Sequence, residues 1–322
     1  MVHSPSSPVA LWQGLLRALL TTEIAPALGD IPWVLLKGEP LGEILYGCGA
    51  ARPTGDLDLL VLPGDVDEAH CRLKAAGLVD LGGPPRMWIH NQRALLHRPS
   101  RAIVELHWAL AELIVPQPPV GFVVKRAEPF PLTPDFHVKV LPNPLLLLHL
   151  ALHFHHHLGH PRGLRDIQDW WARFGHSRAS HEAFELADRF GMRGILEWPL
   201  AILGEVAHPE HQFARQLAWL WRWALDRDLI GPAGPRGSKA TTVALRSAAM
   251  LLTGNDLPTT LNALRLPITH GPHRLGRWLR TPSAAPGRGF EAPTPPPPLP
   301  EIEPPDRTPK TYRTHRMSRT SE

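Results

Sequence analysis

The sequence predicts an α/β (α+β) domain built on a mixed sheet, followed by a mostly α-helical domain and a disordered C-terminal tail. Three observations carry this. Up to about residue 110, short apolar runs alternate with amphipathic stretches. From "LPNPLL" (141–146) the texture becomes Leu- and Trp-rich with a helical period. From Thr281 onward the chain reads "TPSAAPGRGFEAPTPPPPLPEIEPPDRTPK", which has too few core-forming residues to offset the entropy of ordering it. The boundaries drawn are 1–140, 141–280 and 281–322.

The elements follow in order. Residues 8–28 carry apolar side chains at helical spacing. "WVLLKG" (33–38) is a short apolar strand ending in glycine, and "EPLGEILYG" (39–47) is a helix that begins at that turn. "DLDLLVLP" (56–63) is a strand stopped by Pro63 and Gly64. "GDVDEAHCRLKAAGL" (64–78) is a helix with Asp65 as N-cap and Gly77 as C-cap. "RMWIHNQRALLHRP" (86–99) is one or two strands turning near Asn91, and "AIVELHWAL" (102–110) is another strand. Residues 144–228 are nearly all helical, with Trp170, Trp171, Trp198, Trp219, Trp221 and Trp223 at core spacings. A Gly/Pro loop, "DLIGPAGPRGSKATT", interrupts near 229–242.

Composition narrows the class. At 43% hydrophobic residues in 322, the chain can bury a sizeable core. Two cysteines, Cys48 and Cys71, give no disulfide framework and point to a reducing compartment. The apolar run over 9–28 is broken by Gln13, Arg17 and Glu23 and lacks a basic lead, so it is not read as a signal peptide. No window approaches about 18 uninterrupted apolar residues, so no membrane partner and a cytoplasmic location are expected. The pI is 9.4. The charge is uneven: residues 231–322 hold 13 Lys+Arg against 6 Asp+Glu, while the whole chain is only +4. A solvated tail explains this more simply than a nucleic-acid surface, which is not the favoured partner.

Asp56 and Asp58 sit inside the apolar strand "DLDLLV". Side chains at i and i+2 of a strand share a face, so the two carboxylates project together. Alone, an Asp-x-Asp is more often a turn or a solvated strand end. Its surroundings favour chemistry. Upstream, "LLKGEPLGEIL" is a strand–glycine–helix unit whose backbone N–H groups can cradle phosphate. Downstream, Glu105 lies mid-strand between Val104 and Leu106, where an acid is costly without a cation or hydrogen bonds. Adjacent strands would bring Asp56, Asp58 and Glu105 within one coordination shell, on the order of 4–7 Å. Without a cation the two aspartates should repel, and replacing either by Asn should keep or raise stability.

These residues resemble the nucleotidyltransferase superfamily related to DNA polymerase β, and more narrowly the uncharacterised nucleotidyltransferase family 5. The features are Leu36-Lys37-Gly38, Arg52, Asp56-Leu57-Asp58-Leu59-Leu60-Val61, Glu105-Leu106-His107-Trp108, and His153, His157 and Asp166, spread over roughly residues 10–225. The resemblance implies a nucleotidyltransferase-like fold for residues 1–140. It implies that Asp56, Asp58 and Glu105 are catalytic and hold Mg²⁺ or Mn²⁺, and that Lys37, Gly38 and Arg52 meet the nucleotide. The superfamily usually places Gly-Ser where this chain has Lys37-Gly38. The activity implied is transfer of an NMP from an NTP, ATP among the candidates, to an acceptor with release of pyrophosphate. The acceptor is a small molecule, peptide or protein.

Other residues are read beside these. Arg52 clamps a phosphate, pairs with Asp56, or is a solvated loop arginine. His107 and Trp108 are read as packing residues, with His107 facing away from Glu105. His149, His153 and His157 recur every four residues on one helix. They line the cleft with Asp166, or bind a transition metal with Asp166 or His160 as third ligand. Two rival functions follow: a degenerate nucleotidyltransferase fold that regulates or binds, and a metal-dependent hydrolase built on the histidine helix. Because residues 281–322 lack core-forming composition, deleting them should leave the melting temperature within a degree or so; a large fall in a thermal scan would show that they pack on the body.

Overall fold

The computed structural model describes residues 8–81, 91–111, 115–157 and 161–210, together with 212, 214, 215, 218, 230, 231, 234 and 235. The expected tail over 281–322, the strand segment 86–90, His160 and Trp219, Trp221 and Trp223 lie outside the described residues. The N-terminal helix α1 (Pro8–Leu19) passes through a π turn (Leu20–Ile24) into α2 (Ala25–Leu28). Pro26 explains the interruption, since it lacks the N–H that an α ladder requires and its ring crowds the preceding turn.

The remaining elements are β1 (Trp33–Leu35), α3 (Glu39–Tyr46), β2 (Asp56–Val61), α4 (Val66–Ala75), β3 (Val79–Asp80), β4 (Gln92–His97) and β5 (Ala102–His107). Then come α5 (Val120–Arg126), β6 (Glu128–Thr133) and β7 (Phe136–Val140). Four helices follow: α6 (Asn143–His156), α7 (Pro161–Phe174), α8 (Arg178–Arg189) and α9 (Arg193–Leu203). A two-residue pair, β8 (Ile230–Gly231) with β9 (Gly234–Pro235), occupies the expected Gly/Pro loop. Three expectations need correction. Asp65 is at the N-cap of α4 but its side chain makes no cap hydrogen bond. Ala76 is the C-cap, with Gly77 at φ +94° just beyond it. Helix does not continue past Leu203 without a break: Gly204 takes φ +80°, and residues 204–210 are irregular.

The sheet is mixed and has seven strands in the order β3-β4-β5-β2-β1-β7-β6. β2 is parallel to β5 and antiparallel to β1, and β1 is parallel to β7. Its two faces have different partners. Leu57, Leu59, Val61, Val104 and Leu106 share one buried cluster with Leu16, Leu20 and Ile24 of the N-terminal helix and Leu73 of α4. Val34 and Leu60 point the other way, into a cluster with Leu147, Leu150, Trp170 and Leu196 of the later helices. The period of two therefore sends Asp56 and Asp58 to the face that the α6–α9 helices cover. Helix α6 is apolar on nearly all sides because α7, α8 and α9 surround it. Trp170, Trp171 and Trp198 are buried there, as their spacing predicts.

Two glycines set the approach to that face. Gly38 has φ +91° at the N-cap of α3, a conformation that L side chains rarely adopt. Gly42 inside α3 touches the 3₁₀ turn over Gly49–Ala51: a Cβ there would lie 2.5 Å from the Gly49 carbonyl oxygen. That contact fixes the turn immediately ahead of Arg52. Gly42→Ala should therefore destabilise the fold by about 1–3 kcal/mol, despite the helix propensity of alanine. Chemical denaturation measures this, and a variant as stable as wild type would show that the turn moves away freely.

Candidate active site

Lys37, Asp56, Asp58, Glu105 and His107 meet on the helix-covered face of the sheet. The parallel register places Asp58 directly beside Glu105, and Leu60 beside His107. Asp58 is 2% exposed. Its two oxygens have different partners: Oδ2 faces the Lys37 ammonium at 3.3 Å, and Oδ1 lies 3.3 Å from His107 Nε2. The same imidazole nitrogen is 3.4 Å from Glu105 Oε2. Asp56 lies further out, with Oδ2 at 3.8 Å from Lys37 Nζ and Oδ1 accepting a 3.1 Å hydrogen bond from the Thr54 hydroxyl. The Trp12 indole N–H donates to the Thr54 carbonyl at 2.8 Å, tying this turn to α1.

The expected orientation of His107 is corrected. Residues 105 and 107 are two apart on one strand, so they share a face, and His107 contacts the very glutamate it was expected to avoid. Trp108 does pack, against the opposite cluster. The expectation of simple repulsion between the aspartates also changes. Burial alone would raise the Asp58 carboxyl, but Lys37 and His107 outweigh it and hold the group well below the usual carboxylate range. Burial and the neighbouring Asp58 instead push Asp56 up. Burial favours neutral Lys37, yet Asp58, Asp56 and Glu105 hold its ammonium above the ordinary value. Burial would lower His107 too, and the two carboxylates carry it up to about 9. The site is thus a compensated charge cluster. Neutralising Asp58 removes a counter-ion, whereas only Asp56 retains the expected relief of repulsion.

Among the described residues, Asp58, Glu105 and His107 form a group whose ligand atoms all lie within 4.8 Å of one another. Asp56 is outside that group, turned towards Thr54. Asp58 Oδ2 is buried without a hydrogen bond, and two carboxylates with an imidazole are a donor set suited to a divalent cation. The residues present fit a metal.

Beside this cluster opens a pocket of about 260 Å³, lined among others by Lys37, Arg52, Asp56, His153, His157, Arg162 and Asp166. Gly38 is not one of its lining residues; it is buried at the start of α3. Arg52 is engaged by Asp166 in a buried fork, Nε to Oδ1 at 2.9 Å and Nη2 to Oδ2 at 2.7 Å. Arg52 therefore neither pairs with Asp56 nor hangs in solvent, and both Asp166 oxygens are committed to it. Asp166 is thereby removed as a third ligand for a metal on the histidine helix. His153 Nε2 lies 3.3 Å from Lys37 Nζ. An ammonium can only donate, so this nitrogen is the acceptor. Burial and Lys37 hold His153 well below the ordinary histidine value. His157 is exposed at the end of α6. The Tyr46 hydroxyl donates to Asp169, tying α3 to α7.

Two contributors were missed in the sequence. The signal for His107 was the i, i+2 rule itself. Arg162 stands four residues before Asp166, one helical turn away, which was the available sign that it would face the same pocket.

A family model described as "Uncharacterised nucleotidyltransferase" matches residues 13–201. Part of the chain is similar to a solved structure described as an antigenic nucleotidyltransferase-like protein from Paracoccidioides brasiliensis. The identity is 17%, with 55% of this chain and 88% of that chain covered, at a TM-score of 0.35. No curated protein matches the chain.

His149 of α6 is 4% exposed and neither ring nitrogen has a hydrogen-bond partner. Burial and Lys37 lower it from 6.5 to about 3; Asp58, His107 and Arg52 are its other charged neighbours. The unfolded chain takes up this proton first on acidification. Native stability should therefore fall as pH drops from 6.5 to about 3, by up to about 1.4 kcal/mol per pH unit. His149→Leu should lose less stability than wild type between pH 7 and pH 4 in a melting series. Equal losses in the two proteins would mean that His149 is not held neutral.

Proposed function

Since the chain belongs to the uncharacterised nucleotidyltransferase family, we propose that it transfers an NMP from an NTP, with Mg²⁺ or Mn²⁺, to an acceptor and releases pyrophosphate. The observation that carries this is the pairing of buried Asp58 with Glu105 in one register, next to a pocket lined by Lys37, Arg52 and Arg162. Asp56, Asp58 and Glu105 would hold the cation. That cation supplies charge neutralisation of the triphosphate and stabilisation of the departing pyrophosphate. Lys37 and Arg162 meet the phosphates, with Arg52 held in place by Asp166. The acceptor oxygen or nitrogen attacks the α-phosphorus, the bond to the bridging oxygen breaks, and Glu105 takes the acceptor proton. Residues 1–140 supply the acidic residues, Lys37 and Arg52, while residues 141–280 supply Arg162 and Asp166 and shape the acceptor side. The acceptor is a small molecule, peptide or protein.

A second reading rests on Lys37. Its ammonium already balances both aspartates. A chain that fills the cation's place with its own charge could bind nucleotide and regulate without turnover. Pyrophosphate release separates the two readings. Wild type with Mg²⁺-NTP and a cell extract should release pyrophosphate and label a product. Asp58→Asn should cut that rate by roughly 100-fold or more, as the loss of several kcal/mol of transition-state stabilisation implies. Asp58→Asn should also be less stable than wild type without ligand, while Asp56→Asn should be equal or better. Mg²⁺-NTP at a hundredfold excess over Kd should stabilise wild type by about 2.7 kcal/mol, and both Asn variants should lose most of that gain. Stabilisation without pyrophosphate release would establish the binding protein; undiminished stabilisation of the variants would remove the aspartates from the site.

A further inference from the structure

We propose that His107 is itself a metal ligand, so that this site selects a first-row transition cation such as Mn²⁺ or Co²⁺ over Mg²⁺. The inference rests on the nucleotidyltransferase reading for the presence of a cation, and goes beyond it in the ligand set and the identity of the ion.

The geometry starts from two neighbouring strands. Asp58 on β2 and Glu105 on β5 are in register, and His107 follows Glu105 on the same face. All three side chains therefore stand on rigid sheet backbone rather than on loops. Their ligand atoms lie within 4.8 Å of one another. A single atom, His107 Nε2, faces both Asp58 Oδ1 at 3.3 Å and Glu105 Oε2 at 3.4 Å. An imidazole nitrogen carries one proton, so it cannot give a full hydrogen bond to both carboxylates. A cation at the centre of the three atoms takes the place of the Nε2 proton, which leaves to solvent, and bonds all of them at once.

One further observation points to a ligand. His149, 4% exposed and electrostatically coupled to Asp58, His107 and Lys37, has no partner on either ring nitrogen. A buried imidazole left without a partner costs free energy, so its place beside the cluster marks a position where a ligand would be accommodated.

The donor set then decides the ion. Mg²⁺ is hard, keeps oxygen ligands and demands near-octahedral geometry. Imidazole suits iron, nickel and zinc rather than Mg²⁺, and the affinity of a nitrogen-and-oxygen site for first-row divalent cations rises from Mn²⁺ through Co²⁺ to Ni²⁺. An all-carboxylate triad would favour Mg²⁺; two carboxylates and a histidine do not.

The test uses the full chain with metal salts alone. MnCl₂ or CoCl₂ should bind at least about 10-fold more tightly than MgCl₂ in a calorimetric titration. Pulsed EPR of the Mn²⁺ complex should show ¹⁴N coupling from a directly bound imidazole. His107→Gln should abolish that coupling and weaken Mn²⁺ binding by roughly 10–100-fold, while leaving Mg²⁺ binding within about twofold. His149→Leu should retain the coupling, which assigns it to His107. Absence of ¹⁴N coupling in wild type, or equal binding of Mn²⁺ and Mg²⁺, would overturn the proposal, and either result needs no variant to fold. Pyrophosphate release with Mg²⁺ as the sole metal, without nitrogen coupling to Mn²⁺, would sink this inference and leave the nucleotidyltransferase reading standing. Nitrogen-coupled Mn²⁺ without turnover of any NTP would do the reverse.

Discussion

A buried carboxylate governs this molecule. Asp58 is 2% exposed on the central strand of the sheet, and a charge so placed costs several kcal/mol unless opposite charges accompany it. Lys37 and His107 provide them, one to each oxygen. Much of the surrounding structure follows from that demand. β1 ends just before Lys37, so the chain leaves the sheet in time to aim the ammonium back at β2. His153 on α6 accepts from the same ammonium and brings the helical layer down onto the cluster. Removing a member of the group exposes the others to an uncompensated environment, so its parts should behave as a unit rather than additively.

A second constraint sits on the other side of the pocket. The fork between Arg52 and Asp166 joins residues 114 apart in sequence, and both groups are buried. Arg52 follows the turn that Gly42 and Gly49 bring against α3, and Asp166 is on α7. Tyr46 and Asp169 repeat the same link one turn along. The pocket wall is thus pinned at its base by a charge pair that cannot be opened cheaply. Arg52 is thereby a fixed part of the pocket wall.

The local parts of this arrangement were legible in the sequence. The Asp-x-Asp strand, the glycine before α3 and the mid-strand Glu105 each announce themselves by period and by the cost of an acid in an apolar run. The long helical stretch after residue 141 reads equally clearly up to Leu203. The failures have physical causes. His107 departs from its expected packing role because side chains two apart on a strand share a face, which puts it beside Glu105. The Arg52–Asp166 pair is a contact between distant residues, and nothing in either neighbourhood encodes the partner. The role of Lys37 as counter-ion is not encoded near Asp56 and Asp58, because it arises only when the end of the adjacent strand brings the lysine within reach of both.

The sheet face itself shows how one strand can serve core and chemistry together. Along β2, Asp56, Asp58 and Leu60 point the same way, yet Leu60 is fully buried against the later helices while Asp56 borders the pocket. Burial thus increases along six residues from the pocket edge to the hydrophobic core. Asp58 stands at the crossover. It is deep enough that water does not screen it and near enough to the pocket for a ligand to reach its neighbours. Electrostatic interactions strengthen in such a low-dielectric position. A charge arriving from the pocket therefore acts on Lys37, His107 and Glu105 with little attenuation. The same depth that makes Asp58 expensive for the fold makes it sensitive to what binds beside it.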